Sequence, residues 1–162
     1  ERMQTAMRTA FEMLWSGRAM DLPFYDPQEA IVLASIVEKE TGQAHERREV
    51  AAVFVNRLRL GMRLQSDPTV IYGITQGLPL DRPITRTDLR TDTPYNSYRH
   101  DGLPPTAITN PGLASLQAVL NPADVPYLYF VADGTGGHAF ATTLEEHNLN
   151  VARWRQIERS QK

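Results

Sequence analysis

The sequence predicts an α+β fold, a mostly helical single domain with one β-hairpin, and three observations carry that prediction. Several stretches open on Asp, Asn or Thr followed by Pro, or by Glu three residues on, and continue as apolar runs; these are helix starts. One aromatic and β-branched run, Tyr127 to Ala132, is followed by a Gly-rich turn and a second short apolar stretch, the pattern of a hairpin. No repeat, low-complexity tract or linker divides residues 1–162, and that length can bury a proper core without staples.

In order along the chain, Met3, Met7, Ala10, Phe11 and Leu14 form one apolar stripe at helical spacing, closed by Gly17. The methionines fit core filling better than a ligand set. The second helix has Asp26 as its cap, Pro27 as its first residue, Glu29 as the capping-box partner and Gly42 as its stop. Between these lies Ala30 to Glu40, apolar around most of its circumference for two turns, as expected of a helix packed on nearly all sides. A third helix runs from about Glu46 to Leu60, with Val50, Val53, Phe54 and Leu58 inward and a charged first turn, His45 to Glu49, on a solvated face. Asp67-Pro68 starts a short helix, Thr69 to Thr75, and another helical turn fits around Asp88. Tyr95 to Asn110 holds too many turn formers for a helix and reads as an ordered, extended loop. Asn110-Pro111 caps a helix reaching Leu120, the hairpin follows, and Thr143 with Glu146 boxes the last helix, to about Arg159.

Bulk composition narrows the function. A net charge of −2 offers no basic field for nucleic acid. Without cysteine there is neither a disulfide framework nor a thiolate metal site. No apolar run is long enough for a bilayer and no signal peptide is visible. The chain opens inside a helical pattern without an initiator Met, which reads as an excised fragment. The four His residues lack close metal-ligand spacing, so no metal or cofactor is implied. The Gly-rich turn joins two strands rather than a strand to a helix, which removes the phosphate-cradle reading.

Two features carry chemistry. Glu38 lies four residues past Ala34 and seven past Ile31 and shares their face, whereas Glu40 is turned about 160° away at the helical period and reads as the solvated acid. An acid at the end of a buried helix costs free energy unless paired or neutral, which makes Glu38 a candidate general acid with a raised pKa. Pairing with a buried Arg, or a frayed helix end in water, are the alternatives. The second feature is the loop bearing Tyr95, Asn96, Tyr98 and Asn110. Aromatic faces and amides suit a sugar-contacting wall, and a structural loop tied down by its own prolines is the equal alternative. A glycosidase working through two carboxylates would need a second acid. Asp67 is the attractive candidate, but a role as helix cap explains it fully. One buried acid beside a Tyr/Asn wall therefore points to carbohydrate cleavage with a single catalytic carboxylate.

The segments Ser35-Ile36-Val37-Glu38-Lys39-Glu40-Thr41, Asn56-Arg57-Leu58, Gly61 to Gly73, Tyr95-Asn96-Ser97-Tyr98, Gly102-Leu103-Pro104-Pro105, Asn110-Pro111-Gly112 and Tyr127 to Ala132 with Gly137-His138 resemble, in that order, the endolytic murein transglycosylases of the MltG (YceG-like) type. Thr106 departs from the Gly expected there. The resemblance implies a lyase that cleaves the MurNAc–GlcNAc bond of peptidoglycan glycan strands and leaves 1,6-anhydroMurNAc ends during cell-wall assembly. It implies Glu38 as the catalytic residue and no cofactor. Gln65, Asp67, Thr69, Tyr72, Tyr95, Asn96, Tyr98, Asn110 and His138 are the substrate-binding candidates, lining one groove with Glu38. It further implies an inner-membrane protein with this domain on the periplasmic side, an upstream single-pass anchor, a LysM-like region before the catalytic part, and cell-wall synthases (penicillin-binding proteins) as partners. A hydrolase of the same bond and a non-catalytic peptidoglycan-binding module are the rival readings.

Overall fold

The computed structural model describes the backbone of residues 2–161 and the side chains of residues 7–161. Its elements are α1 (Arg2–Ser16), α2 (Pro27–Glu40), α3 (Arg47–Arg59), α4 (Asp67–Thr75), α5 (Arg86–Arg90), α6 (Leu113–Leu120), β1 (Tyr129–Ala132), β2 (His138–Ala141) and α7 (Leu144–Ser160). The α+β class, mostly helical with one antiparallel hairpin, is the one the sequence predicts. Among the described residues no helix is long and apolar enough to cross a membrane.

Helix α2 is the axis of the fold. It starts as predicted: Asp26 accepts from the Gln28 N–H while the Glu29 carboxylate reaches back to the cap backbone. Leu33, Ala34, Ile36 and Val37 are fully buried, and α3, α4 and α6 pack around them. Gly42 is not its stop. The chain leaves the helix at Thr41, whose extended backbone breaks the helical repeat and whose hydroxyl accepts from the Gln43 N–H.

Elsewhere the sequence reading holds in outline and needs correction at the ends. In α1, Phe11, Leu14 and Trp15 meet the core, but Met7 is exposed, and the Met3 side chain lies outside the described residues. The first turn of α3 is not wholly solvated. Glu46 is buried because its carboxylate accepts from both the backbone N–H and Nδ1 of His138. Helix α6 is capped not by Asn110, which is exposed, but at Gly112, which has no side chain to offer. The capping box of α7 forms as predicted, between Thr143 and Glu146.

The hairpin pairs Tyr129 with Ala141, Phe130 with Phe140, Val131 with Ala139 and Ala132 with His138. Phe130 stands edge-on to Phe54 of α3, their centroids 5.8 Å apart, which fastens the hairpin to the core. Asn56 strengthens that joint by donating to the carbonyls of Val125 and Tyr127. Helix α7 then crosses the hairpin, and none of its residues is buried.

Candidate functional site

The last turn of α2 projects two carboxylates in different directions, and their surroundings reverse the sequence expectation. Glu38 points at the start of α6. Its Oε2 accepts from the Gly112 N–H at 3.1 Å and from the Ser115 hydroxyl. An anion there serves the unpaired N–H groups and positive end of a helix that lacks a cap of its own. The Ser115 bond is the main reason the Glu38 carboxyl is held below the ordinary carboxylate range, opposed by partial burial and assisted by the Gly112 N–H. Glu38 is thus a stable anion bridging α2 to α6, and the expected raised pKa is not found there.

Glu40 is the acid that burial affects. Withdrawal from water pushes its pKa up to about 7, opposed by a hydrogen bond from Ser66 and helped by the nearby charge of Asp67, with His138 and Arg57 pulling it back. This carboxyl lines the wall of a groove of about 550 Å³ between α3, α4, the hairpin and α7, which also receives Arg57, Gln65, Asp67, Tyr98 and His147. Glu38 does not line it.

The start of α4 is built toward this groove. Gln65 sits in the left-handed region at φ +52, a strained position for a residue with a side chain, and its N–H donates to the Ser97 carbonyl. Ser66 occupies the cap position without capping, its hydroxyl donating to Glu40. Asp67 does not cap α4 either. It lies in the first turn, where its carboxylate accepts from the Tyr98 hydroxyl at 2.6 Å. The Tyr98 proton is held correspondingly tightly, its pKa raised first by burial and then by Asp67. The explanation of Asp67 as a cap is therefore withdrawn.

Arg57 supports the opposite wall. Its guanidinium donates to the carbonyls of Leu128, Arg63 and Leu64 at 2.7, 3.0 and 3.0 Å and lies 5.1 Å from the Tyr129 ring centroid. It ties the hairpin to the strand-like approach to α4 while leaving a positive charge at the groove. His147 of α7 stacks on the other side of that wall, its ring 5.0 Å from Tyr129, and its buried Nδ1 has no hydrogen-bond partner. Burial lowers its pKa, with the Arg57 charge adding to the effect.

The predicted binding residues divide into three groups. Gln65, Asp67 and Tyr98 line the groove with Glu40. His138 stands behind it, oriented by Glu46; a Cβ at Gly137 would press on Glu46 Oε1 and disturb that pairing. Thr69 and Asn96 are fully buried, so they cannot contact a ligand in this conformation. Thr69 bonds Ser66 and Ser97, and Asn96 donates to the carbonyls of Leu89 and Thr91 and accepts from the Tyr98 N–H. The third group lies away from the groove. Tyr72 and Tyr95 meet edge-on at 4.8 Å, and Tyr72 lines a separate depression with Lys39 and Ile108. The Tyr95 hydroxyl bonds that of Thr106, the residue standing where Gly was expected. Asn110 is exposed and outside both. The single groove expected to hold all these residues with Glu38 therefore becomes a smaller one centred on Glu40.

Sequence reasoning missed Glu40, Arg57, Ser66, Tyr129 and His147. Spacing held no decisive signal for Glu40: Leu33, Ile36 and Val37 lead to it along one face, but Ile31 and Ala34 lead equally to Glu38 along another.

Comparison with known proteins agrees with this architecture. The family model described as YceG-like matches residues 1–153. An endolytic murein transglycosylase of Bacillus subtilis (strain 168) is 43% identical over 118 residues, covering 73% of this chain and 32% of that protein. One of Streptococcus pneumoniae serotype 2 is 37% identical over 128 residues, covering 76% and 23%. The chain thus spans a third or less of these relatives. The crystal structure of a putative yceG-like protein from Listeria monocytogenes superposes with a TM-score of 0.69 at 42% identity, over 76% of this chain and 38% of that one. The family match spans nearly the whole chain and the fold likeness three quarters of it, and the chain belongs to the YceG-like family.

Proposed function

We propose that this chain is the catalytic domain of an endolytic peptidoglycan lytic transglycosylase and that Glu40, not Glu38, is its general acid and base. The relatives of the family carry that activity in their names. The observation that supports the residue assignment is the Glu40 carboxyl, facing a groove with its pKa pushed up to about 7 by burial. A group that must first give and then take a proton works best with a pKa near the working pH.

In this reading a glycan strand lies along the groove with its N-acetylmuramyl–N-acetylglucosamine bond over Glu40. Protonated Glu40 donates to the glycosidic oxygen, the C1–O bond breaks, and the N-acetyl oxygen of the substrate stabilises the positive anomeric carbon. Ionised Glu40 then removes the proton of the muramyl C6 hydroxyl, whose oxygen closes the 1,6-anhydro ring. The proton taken at the second step restores the first, and no water is consumed. Gln65, Asp67 and Tyr98 offer polar contacts along the strand. Nascent strands as substrate, an upstream anchor holding the domain on the extracytoplasmic side, and cell-wall synthases as neighbours belong to the same proposal.

Asp67 gives one rival a foothold, since it is free of capping duty and lines the groove. A hydrolase would use it to activate water. Weighing the products of a glycan-strand digest separates the two: anhydro ends for the transglycosylase, ends heavier by one water for the hydrolase. Glu40→Gln should abolish cleavage and Glu38→Gln should preserve it. Anhydro ends formed by Glu40→Gln at the wild-type rate would overturn the assignment.

A further inference from the structure

Ser66 stands at the N-cap of α4, where a serine hydroxyl ordinarily accepts from a backbone N–H of the first turn and stabilises the helix. Here that hydroxyl is turned away from the helix and donates to Glu40 Oε1 at 2.5 Å. The diversion is enforced from behind. The Ser66 N–H donates to the Ser97 hydroxyl at 2.9 Å, and its carbonyl accepts from the Thr69 hydroxyl at 2.6 Å. The Ser97 and Thr69 hydroxyls bond each other at 2.7 Å. Ser66, Thr69 and Ser97 are all buried, so water does not compete for these bonds. The strained Gln65 immediately precedes this cluster. A helix that gives up its cap and tolerates a left-handed Gln at its entrance has a local arrangement chosen for something other than its own stability.

Resting on the assignment of Glu40 as the acid, we propose that Ser66 is a positioning residue: clamped by the Ser97–Thr69 hydroxyl pair, it occupies Oε1 of Glu40 and leaves Oε2 as the oxygen that exchanges the proton with substrate. A carboxyl with two equivalent free oxygens can rotate and present its proton in either direction, whereas one fixed at Oε1 presents it in one. The donated bond also stabilises the ionised form and limits how far burial raises the pKa. The charged and titratable groups around Glu40 are Asp67 of α4, Arg57 of α3 and His138 of β2, with Tyr98 of the loop bound to Asp67 and His147 of α7 across the groove. None of these is altered by substituting Ser66.

The test is a pH series on the whole chain carrying Ser66→Ala, Ser66→Cys and Ser66→Thr, read by kcat/KM on glycan strands and by carbon NMR titration of the Glu40 carboxyl without substrate. Since the reaction starts from protonated Glu40, kcat/KM falls as pH rises through its pKa. Ser66→Ala should move that alkaline limb and the NMR titration upward together, by about one pH unit, and lower kcat at the optimum by roughly tenfold. Ser66→Thr should restore both, because it keeps the hydroxyl, and Ser66→Cys, a weaker donor, should fall between. A folded Ser66→Ala protein with an unmoved carboxyl titration overturns the proposal; should that variant fail to fold, an unmoved titration in Ser66→Cys does the same. Full cleavage by Glu40→Gln would instead overturn the assignment on which the proposal rests, so the two failures are distinct.

Discussion

Replacing Glu40 with Gln should stabilise the protein, and by an amount that depends on pH. A glutamate in the unfolded chain titrates near the ordinary value of 4.5, whereas folded Glu40 is pushed up to about 7. Below pH 4.5 both states hold the proton and the buried carboxyl carries no ionic penalty. As pH rises from 4.5 to 7 the unfolded state releases its proton first, so the wild type loses stability across that window; above 7 the full penalty stands. At 1.36 kcal/mol per pH unit the displacement corresponds to as much as roughly 3 kcal/mol. Gln keeps the shape and an acceptor for the Ser66 hydroxyl but never ionises. The variant should therefore melt close to the wild type at pH 4.5 and higher at pH 8. For a domain of this size, about 2–4 °C per kcal/mol puts the gap near 6–12 °C. Differential scanning calorimetry of both proteins at the two pH values measures it. A gap that does not change with pH, or a variant less stable at pH 8, would refute the argument that Glu40 is held protonated by burial.

Three further outcomes follow from other parts of the structure. Glu38→Gln should leave glycan cleavage intact and lower stability at pH 7 by about 1 kcal/mol, since a charge-assisted bond contributes roughly 1.5–3 kcal/mol and Gln at this partly exposed site retains one acceptor. Because the Glu38 pKa is lowered by folding, this loss should be full above pH 4.5 and shrink as pH falls from there through the lowered folded pKa, so urea titrations should show a smaller difference at pH 3.5 than at pH 7. Asn96→Ala should destabilise by about 2–3 kcal/mol, leaving the Leu89 and Thr91 carbonyls and the Tyr98 N–H without their partner; chemical denaturation reads it, and a change under 0.5 kcal/mol would contradict the burial of its amide. Gly73→Ala would drive a Cβ into the Thr93 hydroxyl and should cost about 1–3 kcal/mol, whereas Gly73→Ala with Thr93→Gly should recover most of it in a double-mutant cycle.

The sequence by itself determined the helices, the hairpin and the family. Helix starts are local: Asp26, Pro27 and Glu29, or Thr143 and Glu146, meet within one turn whatever the rest of the chain does, and both boxes form as read. The hairpin is legible for the same reason, through a β-branched run beside a glycine turn. Tertiary structure decided which carboxylate lines the groove. Periodicity cannot choose between Glu38 and Glu40 on a helix that is apolar nearly all round, because every face of such a helix looks inward. The choice came from neighbours remote in sequence: Gly112 and Ser115 claim Glu38 as the anchor of an uncapped helix, and Ser66 claims Glu40 for the groove. Ser66 and Asp67 were unreadable for a related reason. Ser and Asp before a helix predict caps, and only the approach of α2 and the Tyr98 loop turns both side chains away from their own helix. Asn96 and Thr69 mark the same limit from the other side, since their polar chemistry suits a ligand, but loops and hydroxyls packed over them convert it into internal scaffolding.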